Sequence, residues 1–381
     1  MSKNILGIDA MNIRDGGGLT HLREILTHID TNTLLFNQVI VWGNAQCLQA
    51  LPNQPWLIKV QPLSKRDGFI STTWWQVFHL ARESKKMNCS LLFIAGGSAF
   101  TSFRPYVTIC HNMLPFTKMA LKQYAIGLRR FKFLVLLQIQ LFTFQHSKGV
   151  IFLSNWALEQ LQPLIAEPTL QYAVIPHGIN PGFFIKNRLH RSIADCDASN
   201  PFSIIYVSRI EPYKNQLFVI EQLSNLRKAT GWPIRLVLAG LASDPSYFQK
   251  MLQLIKTLQN ETHWIDYKGA VPYETLGSLY SGADMAVFAS TCENMPIILL
   301  EKMAAGLPII CSDTTPMPDF LQDAGVYTQM EDGRDFQSKV QLLIENREYR
   351  RWFSEKAQQQ AVAYNWTTAA SNTFDFLFSC Q

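Results

Sequence analysis

Short apolar runs of a few residues alternate along the whole chain with longer stretches in which apolar positions recur every three or four residues. Short uninterrupted runs read as strands buried on both faces, and the periodic stretches as helices that cover them. Together they predict βαβ units and parallel sheets. In the first half the pattern predicts strands near Ile5–Ile8, Val39–Trp42, Leu91–Ile94, Val107–Cys110, Val150–Leu153 and Ala173–Ile175. A second series follows at Phe202–Val207, Ile234–Ala239, Trp264–Tyr267, Met285–Ala289 and Ile309–Cys311. Between the two series, residues 181–202 contain Pro181-Gly182, Asn187-Arg188 and Asp195-Cys196-Asp197-Ala198-Ser199-Asn200-Pro201, a polar run rich in breakers that predicts a linker. Two doubly wound α/β halves joined in this way imply a cleft between them in which a ligand sits. From Tyr364-Asn365-Trp366 onward, Phe374, Phe376, Leu377 and Phe378 predict a terminal amphipathic helix.

The 381 residues exceed the size at which a single core usually stops growing, which agrees with two domains, and 48% hydrophobic content suffices for ordinary packed cores. No apolar run reaches the roughly 18 residues of a spanning helix. The N-terminus enters the strand-like Ile5-Leu6-Gly7-Ile8-Asp9 directly, so no secretory signal is expected. Seven cysteines without a C-x-x-C pair argue against a disulfide framework or a zinc site and fit a reducing cytosol. The net charge of +5 hides an imbalance: residues 1–190 hold 18 Lys/Arg against 8 Asp/Glu, and the remainder holds 16 against 21. Between Glu83 and Glu159 no acidic residue occurs, while Lys85, Lys86, Arg104, Lys118, Lys122, Arg129, Arg130, Lys132 and Lys148 do. A field of one sign attracts an anionic surface or substrate.

Several motifs carry candidate chemistry. Glu293 and Glu301 stand eight positions apart, the first in the turn after the strand Met285–Ala289, the second inside a helix whose first turn accommodates Pro296. Two carboxylates so placed can meet different parts of one extended ligand at the carboxyl edge of a sheet, where helix-start N–H groups face an anion. Arg209 and Lys214 follow the strand Phe202–Val207 and read either as a diphosphate clamp, a planar fork plus a point charge, or as an exposed basic pair. Gly16-Gly17-Gly18 precedes the helical pattern Leu19–Ile29, as a phosphate-approaching loop or a simple tight turn; His21 stands where a dinucleotide fingerprint needs its third glycine. His111 and Asn112 follow Val107–Cys110, so that His111 faces a sugar or a leaving group, or is structural. Asp195-Cys196-Asp197 spells a D-x-D pattern, but in the linker, where it reads as solvated chain. From Leu121 to Phe144 an apolar, cationic helical stretch either packs inside the first domain or lies on an anionic bilayer.

On these motifs the chain resembles the retaining glycosyltransferases of GT-B fold, in particular glycosyltransferase family 4 with its E-x7-E pair. The likeness is densest over residues 202–312, where Val207-Ser208-Arg209-Ile210-Glu211-Pro212-Tyr213-Lys214-Asn215, Gly269-Ala270-Val271-Pro272-Tyr273 and the two glutamates match. It is looser over residues 1–180, through the glycine run, His111 and Val174-Ile175-Pro176-His177-Gly178-Ile179. The resemblance implies two Rossmann-like domains facing a cleft: an acceptor-side domain over 1–185, completed by a C-terminal helix near 363–381, and a nucleotide-sugar domain over 200–362. It implies that Glu301 binds ribose hydroxyls, Arg209 and Lys214 the diphosphate, and Glu293 the donor sugar. His111 would stand beside the transferred ring, Gly17 or Gly18 would approach the phosphate, and Val271, Asn294 and Ile297 would add donor contacts. Where many relatives have a Gly-Phe-Gly-like turn, this chain has Asn294-Met295-Pro296, and Pro296 offers no N–H.

The activity implied is transfer of a hexose from a nucleoside diphosphate sugar with retention, by front-face displacement and without a metal or other cofactor. No glycosidase-type carboxylate pair is recognisable. A saccharide or lipid-linked acceptor in lipopolysaccharide, O-antigen or capsule assembly is expected, in the cytoplasm at the inner face of the membrane. Competing readings are a nucleotide-sugar epimerase of the same fold, a non-catalytic nucleotide-sugar binding module, and a dinucleotide-dependent oxidoreductase, the last disfavoured by the incomplete glycine pattern. No nucleic-acid partner is expected.

Overall fold

The computed structural model describes residues 4–63, 68–98, 100–124, 127–186, 188–259 and 263–381. Two α/β units divide the chain: residues 1–121, 125–178 and 364–381 form the first, residues 122–124 and 179–363 the second. In the first, β1 (Ile5–Ala10), α1 (Gly16–His28), β2 (Gln38–Gly43), α2 (Ala45–Ala50) and β3 (Leu57–Val60) lead to a helical segment made of α3 (Phe69–Trp75), a π-turn and α4 (Ala81–Lys86). Then follow β4 (Leu91–Ile94), β5 (Tyr106–Ile109), α5 (Lys118–Lys122), α6 (Leu128–Gln145), β6 (Gly149–Phe152), α7 (Asn155–Ile165) and β7 (Gln171–Val174). All pairings are parallel, in the order β3-β2-β1-β4-β5-β6-β7. The order reverses between β1 and β4, and their carboxyl ends open the crevice where such sheets receive ligands. Strands β1, β4, β5 and β6 are buried along their whole length, as uninterrupted apolar runs require.

The second unit contains β8 (Phe202–Val207), α8 (Gln216–Thr230), β9 (Ile234–Ala239), α9 (Pro245–Leu258), β10 (Ile265–Tyr267), α10 (Leu276–Ser281), β11 (Met285–Phe288) and α11 (Ile297–Ala304). It ends with β12 (Ile309–Ser312), α12 (Met317–Leu321), β13 (Gly325–Thr328), α13 (Gly333–Glu345) and α14 (Arg347–Ala361). Its sheet, also parallel, has the order β10-β9-β8-β11-β12-β13, so that the switch falls between β8 and β11. Phe202, Ile204, Tyr206, Leu236, Leu238, Met285 and Val287 supply the sheet's part of one core, and Val219, Leu223 and Phe336 pack on it from the helices. The two strands that the apolar pattern missed, β3 and β13, are four-residue edge strands, too short and too lightly covered to leave a periodic signal.

The predicted linker is a correction. Residues 179 onward belong to the second unit, and Arg188 donates to the carbonyls of Tyr280, Ala283 and Ala305 at 2.7, 2.6 and 2.9 Å. Arg191 pairs with Asp284. Those bonds, invisible in a run of breakers, turn a candidate spacer into a strap; Asn187 lies outside the described residues. Asp195 and Asp197 serve local turns, accepting from Ser192 N, and from Ser199 N, Ser199 Oγ and Asn200 N, respectively.

The stretch Leu121–Phe144 is likewise not one helix: α5 ends at Lys122 and α6 begins at Leu128. The last helix, α15 (Trp366–Ser379), returns to the first unit and packs on α1. Gly178 makes that approach possible, because a Cβ there would stand 2.2 Å from Trp366 N. No helix among the described residues is long and apolar enough to cross a membrane.

Candidate functional site

In the second unit the loops after β8 and β11 carry three of the charged candidates, Arg209, Lys214 and Glu293, and α11 carries the fourth, Glu301. The segment after β8 forms a single 3-10 turn, Pro212–Lys214, and Asn215 then takes the left-handed conformation, φ 55°, before α8. The two loops are tied together: Thr291 N donates to Tyr213 O at 2.9 Å, and Asn215 Nδ2 to Ala289 O at 2.8 Å. Arg209 is half-buried, its guanidinium 3.4 Å from Ser243 Oγ, and its carbonyl accepts from Gln216 at 2.7 Å. Gly240, at the end of β9, lets this segment pass, since a Cβ there would stand 1.9 Å from Ser208 O. Residues 122–124 contribute Tyr124, whose hydroxyl donates to Glu211 at 2.6 Å.

Lys214 and Glu293, expected to hold different parts of a ligand, form an ion pair with each other, and both are largely buried. A buried pair stands only if its partners meet the charge that desolvation leaves uncovered, which makes each available to a ligand only by exchange. Glu301 lies a little more than one turn into α11, fully buried, and accepts from Tyr280 of α10 at 3.0 Å. Burial pushes its carboxyl up to about 8, against the opposing pull of the Tyr280 hydrogen bond and Lys302. Pro296 caps α11 rather than opening its first turn: its carbonyl accepts from Leu299 N at 2.9 Å, and Ile297 is the first helical residue. Asn294 and Ile297 are buried beside it. Val271 is half-buried on the loop after β10, two strands from β8, and that loop is tied to β9 through Gly240 N and Gly269 O at 2.7 Å.

The first unit brings together Gly18 and His111: a Cβ at Gly18 would stand 3.9 Å from the His111 ring. The glycine run corrects the expectation of a loop before the helix. Gly16, Gly17 and Gly18 are the first three residues of α1, entered through Gly16 at φ +68°. His111 follows β5 and belongs to a cluster that the sequence reading did not assemble. The rings of His21 and His177 lie 5.2 and 6.1 Å from it, and Trp366 packs 5.9 Å from His21 and 5.7 Å from His177. His21 Nδ1 and His177 Nδ1 are 2.9 Å apart, so one ring must donate and the other accept. Burial holds all three below the usual histidine range, His111 at about 4, and the neighbouring imidazoles lower His21 and His177 further. The Nε2 atoms of His21 and His111 are buried without a hydrogen-bond partner among the described residues. No group of three or more His, Cys, Asp or Glu among the described residues is arranged to hold a metal ion.

Sequence reasoning missed Tyr280, His21 and the buried Lys302. A cation beside Glu301 in Ile297–Ala304, a helix buried at every position but Ile298 and otherwise apolar, was the available signal for the last. Nothing in the spacing marks Tyr280 or pairs His21 with His177 across 156 residues.

Residues 197–360 match the family described as "Glycosyl transferases group 1". The chain is 26% identical over 171 residues to the O-antigen chain mannosyltransferase B of Escherichia coli, covering 45% of this chain and 44% of that one. It is 24% identical over 234 residues to the uncharacterized glycosyltransferase MJ1607 of Methanocaldococcus jannaschii, covering 59% and 58%. The chain thus spans about half the length of these curated relatives. Among solved structures it is similar to Anabaena Alr3699/HepE in complex with UDP, with TM-score 0.69, 18% identity, and 99% and 100% of the two chains covered. It is also similar to the sucrose-phosphate synthase of Thermosynechococcus elongatus, with TM-score 0.74, 17% identity, and 99% and 100% covered. At these identities the structures establish the fold: two parallel-sheet α/β domains of GT-B type. Residues 197–360 are thus similar to a glycosyl transferase group 1 domain, within a chain of GT-B fold.

Proposed function

We propose that the protein transfers a hexosyl group from a nucleoside diphosphate sugar to a saccharide acceptor carried on a lipid, with retention at the anomeric carbon and without a metal. The observation that carries this reading is the convergence of Arg209, Lys214 and Glu293 at the β8/β11 switch point, within the segment matched to group 1 glycosyltransferases. A diphosphate arriving there competes with Glu293 for the Lys214 ammonium. Exchange leaves the Glu293 carboxylate able to accept from donor-sugar hydroxyls while Lys214 and Arg209 meet the leaving group. Charge grows on that diphosphate as the glycosyl bond breaks, so fixed cations favour the transition state over the ground state. Glu301, at the far end of α11's first turns, is the group assigned to the ribose. Two similar structures support the donor class, since Anabaena Alr3699/HepE was solved with UDP and with UDP-glucose. The similarity to an O-antigen chain mannosyltransferase supports a saccharide acceptor.

The membrane part of the reading rests on α6, which exposes Leu128, Phe131, Leu134, Val135 and Phe142 beside Arg129, Arg130 and Lys132. Such a face suits the interface of an anionic bilayer, at the inner side of the cytoplasmic membrane.

Turnover of UDP-, GDP- and dTDP-sugars with a panel of lipid-linked saccharides tests the activity. Lys214→Ala is expected to lower kcat by about a hundredfold or more, the usual effect of removing one transition-state charge contact. Near-wild-type turnover in that variant refutes the clamp. Donor consumption that needs no acceptor favours the epimerase reading, and nucleotide-sugar binding without turnover favours a binding module.

A further inference from the structure

We propose that Lys302 is a buried charge behind the diphosphate site, taking a solvent proton onto Nζ as a nucleoside diphosphate binds and releasing it when the diphosphate leaves. The inference rests on the donor reading above and adds a residue and a proton to it. No covalent bond other than N–H forms or breaks.

Lys302 is fully buried on α11. Its Nζ donates to Val287 O at 2.9 Å and lies 3.4 Å from Val207 O, the two carbonyls at the carboxyl ends of β11 and β8. The rings of Tyr206 and Phe288 lie 5.1 and 5.0 Å from it, and on the same Phe288 ring stands Lys214 Nζ, at 5.8 Å. Two lysines thus share one aromatic ring at the switch point, while Glu293 forms its ion pair with Lys214. Among the described residues no carboxylate forms an ion pair with Lys302. The charged and titratable groups that face it are Cys311 of β12, Lys214, Glu301 of its own helix, and Glu293. A leucine or methionine would fill the same fully buried place without that desolvation cost, so packing alone gives no reason for an amine.

Burial lowers Lys302 to about 7, with Cys311, Glu301 and Glu293 opposing and the like charge of Lys214 reinforcing it, so a large fraction is neutral in the unliganded protein at neutral pH. A diphosphate seated on Lys214 adds two or three negative charges near an amine that, among the described residues, makes no ion pair of its own. At an effective dielectric of about 20, each such charge raises the proton affinity by about tenfold. Linkage is reciprocal: if the nucleotide strengthens the proton, the proton strengthens the nucleotide by the same factor. Nucleotide affinity is therefore expected to fall as pH rises above about 7, up to the raised value in the complex.

Isothermal titration of the full chain with UDP, GDP and dTDP at pH 8, in two buffers of differing protonation enthalpy, reads the proton directly. At that pH the free nucleotide is fully ionised and does not itself take part. The expected result is net uptake approaching about one proton per nucleotide bound, abolished in Lys302→Met. Binding without uptake in the wild-type chain, or unchanged uptake in Lys302→Met, overturns the inference and leaves the donor reading standing. Failure of all three nucleotides to bind overturns both. Should Lys302→Met not fold, Lys302→Arg keeps a charge that cannot be given up; it is expected to bind without uptake, and persistent uptake there refutes the assignment.

Discussion

At the scale of single residues, the second unit holds charge where burial opposes it. Glu301 has its carboxyl pushed up to about 8, against an ordinary value of 4.5 in the unfolded chain. Between those two values the folded state binds the proton that the unfolded state has lost, so this group's contribution falls as pH rises from 4.5 towards 8. Glu301→Gln keeps an acceptor for Tyr280 and removes the titration. Its melting temperature is expected to decline less than that of the wild type between pH 5 and pH 8, by a difference on the order of a few kcal/mol in stability, while affinity for nucleotide falls. Parallel melting curves across that range would count against a strained carboxylate at this position. The histidines behave with the opposite sign. Held neutral by burial, His21, His111 and His177 contribute stability above about 6.5 that is lost as acid protonates the unfolded chain first.

Elements decide what those residues can reach. Helix α11 is only eight residues long and buried at every position but Ile298, and its two charges turn to the strand ends and to α10, where Lys302 and Glu301 respectively go. Helix α6 is the converse, an 18-residue helix with few buried positions, Gln140, Thr143 and Phe144, and several exposed apolar ones. Tyr106 of β5 anchors it by donating to Thr143 O at 2.8 Å, which leaves Phe131 and Leu134 on its outer side. Flotation with vesicles containing phosphatidylserine is expected to carry the wild-type chain upward. Changing Phe131 and Leu134 to Ser should weaken that binding at least about tenfold, given the transfer energy of two large apolar side chains. No flotation with or without anionic lipid removes the membrane proposal.

For the whole molecule, two units with separate cores allow their unfolding to be distinguished. A nucleoside diphosphate that binds the β8/β11 site is expected to raise the transition belonging to residues 179–363, because a ligand selective for a native state stabilises that state. Calorimetry with and without UDP, GDP or dTDP checks it, and in Lys214→Ala the shift should shrink. A shift confined to the other transition places the nucleotide on the first unit instead, at the glycines and His111. The net positive first half and net negative second half do not alter this expectation, since the cations proposed to hold the diphosphate, Arg209 and Lys214, are local to β8.

The apolar runs by themselves determined eleven of the thirteen described strands to within a residue or two, because a strand buried on both faces must be apolar throughout. They also put Arg209, Lys214 and Glu293 after strands, which in a parallel sheet means at one edge. The order of the strands was decided only by the tertiary structure, and with it the meeting of the β8 and β11 loops. So was the engagement of Lys214 with Glu293, since spacing of 79 residues carries no record of which charges share a low dielectric. The strap at 181–202 and the helical glycines at 16–18 had the same cause: local breakers mark where a chain can turn, while long-range hydrogen bonds and packing decide whether it does.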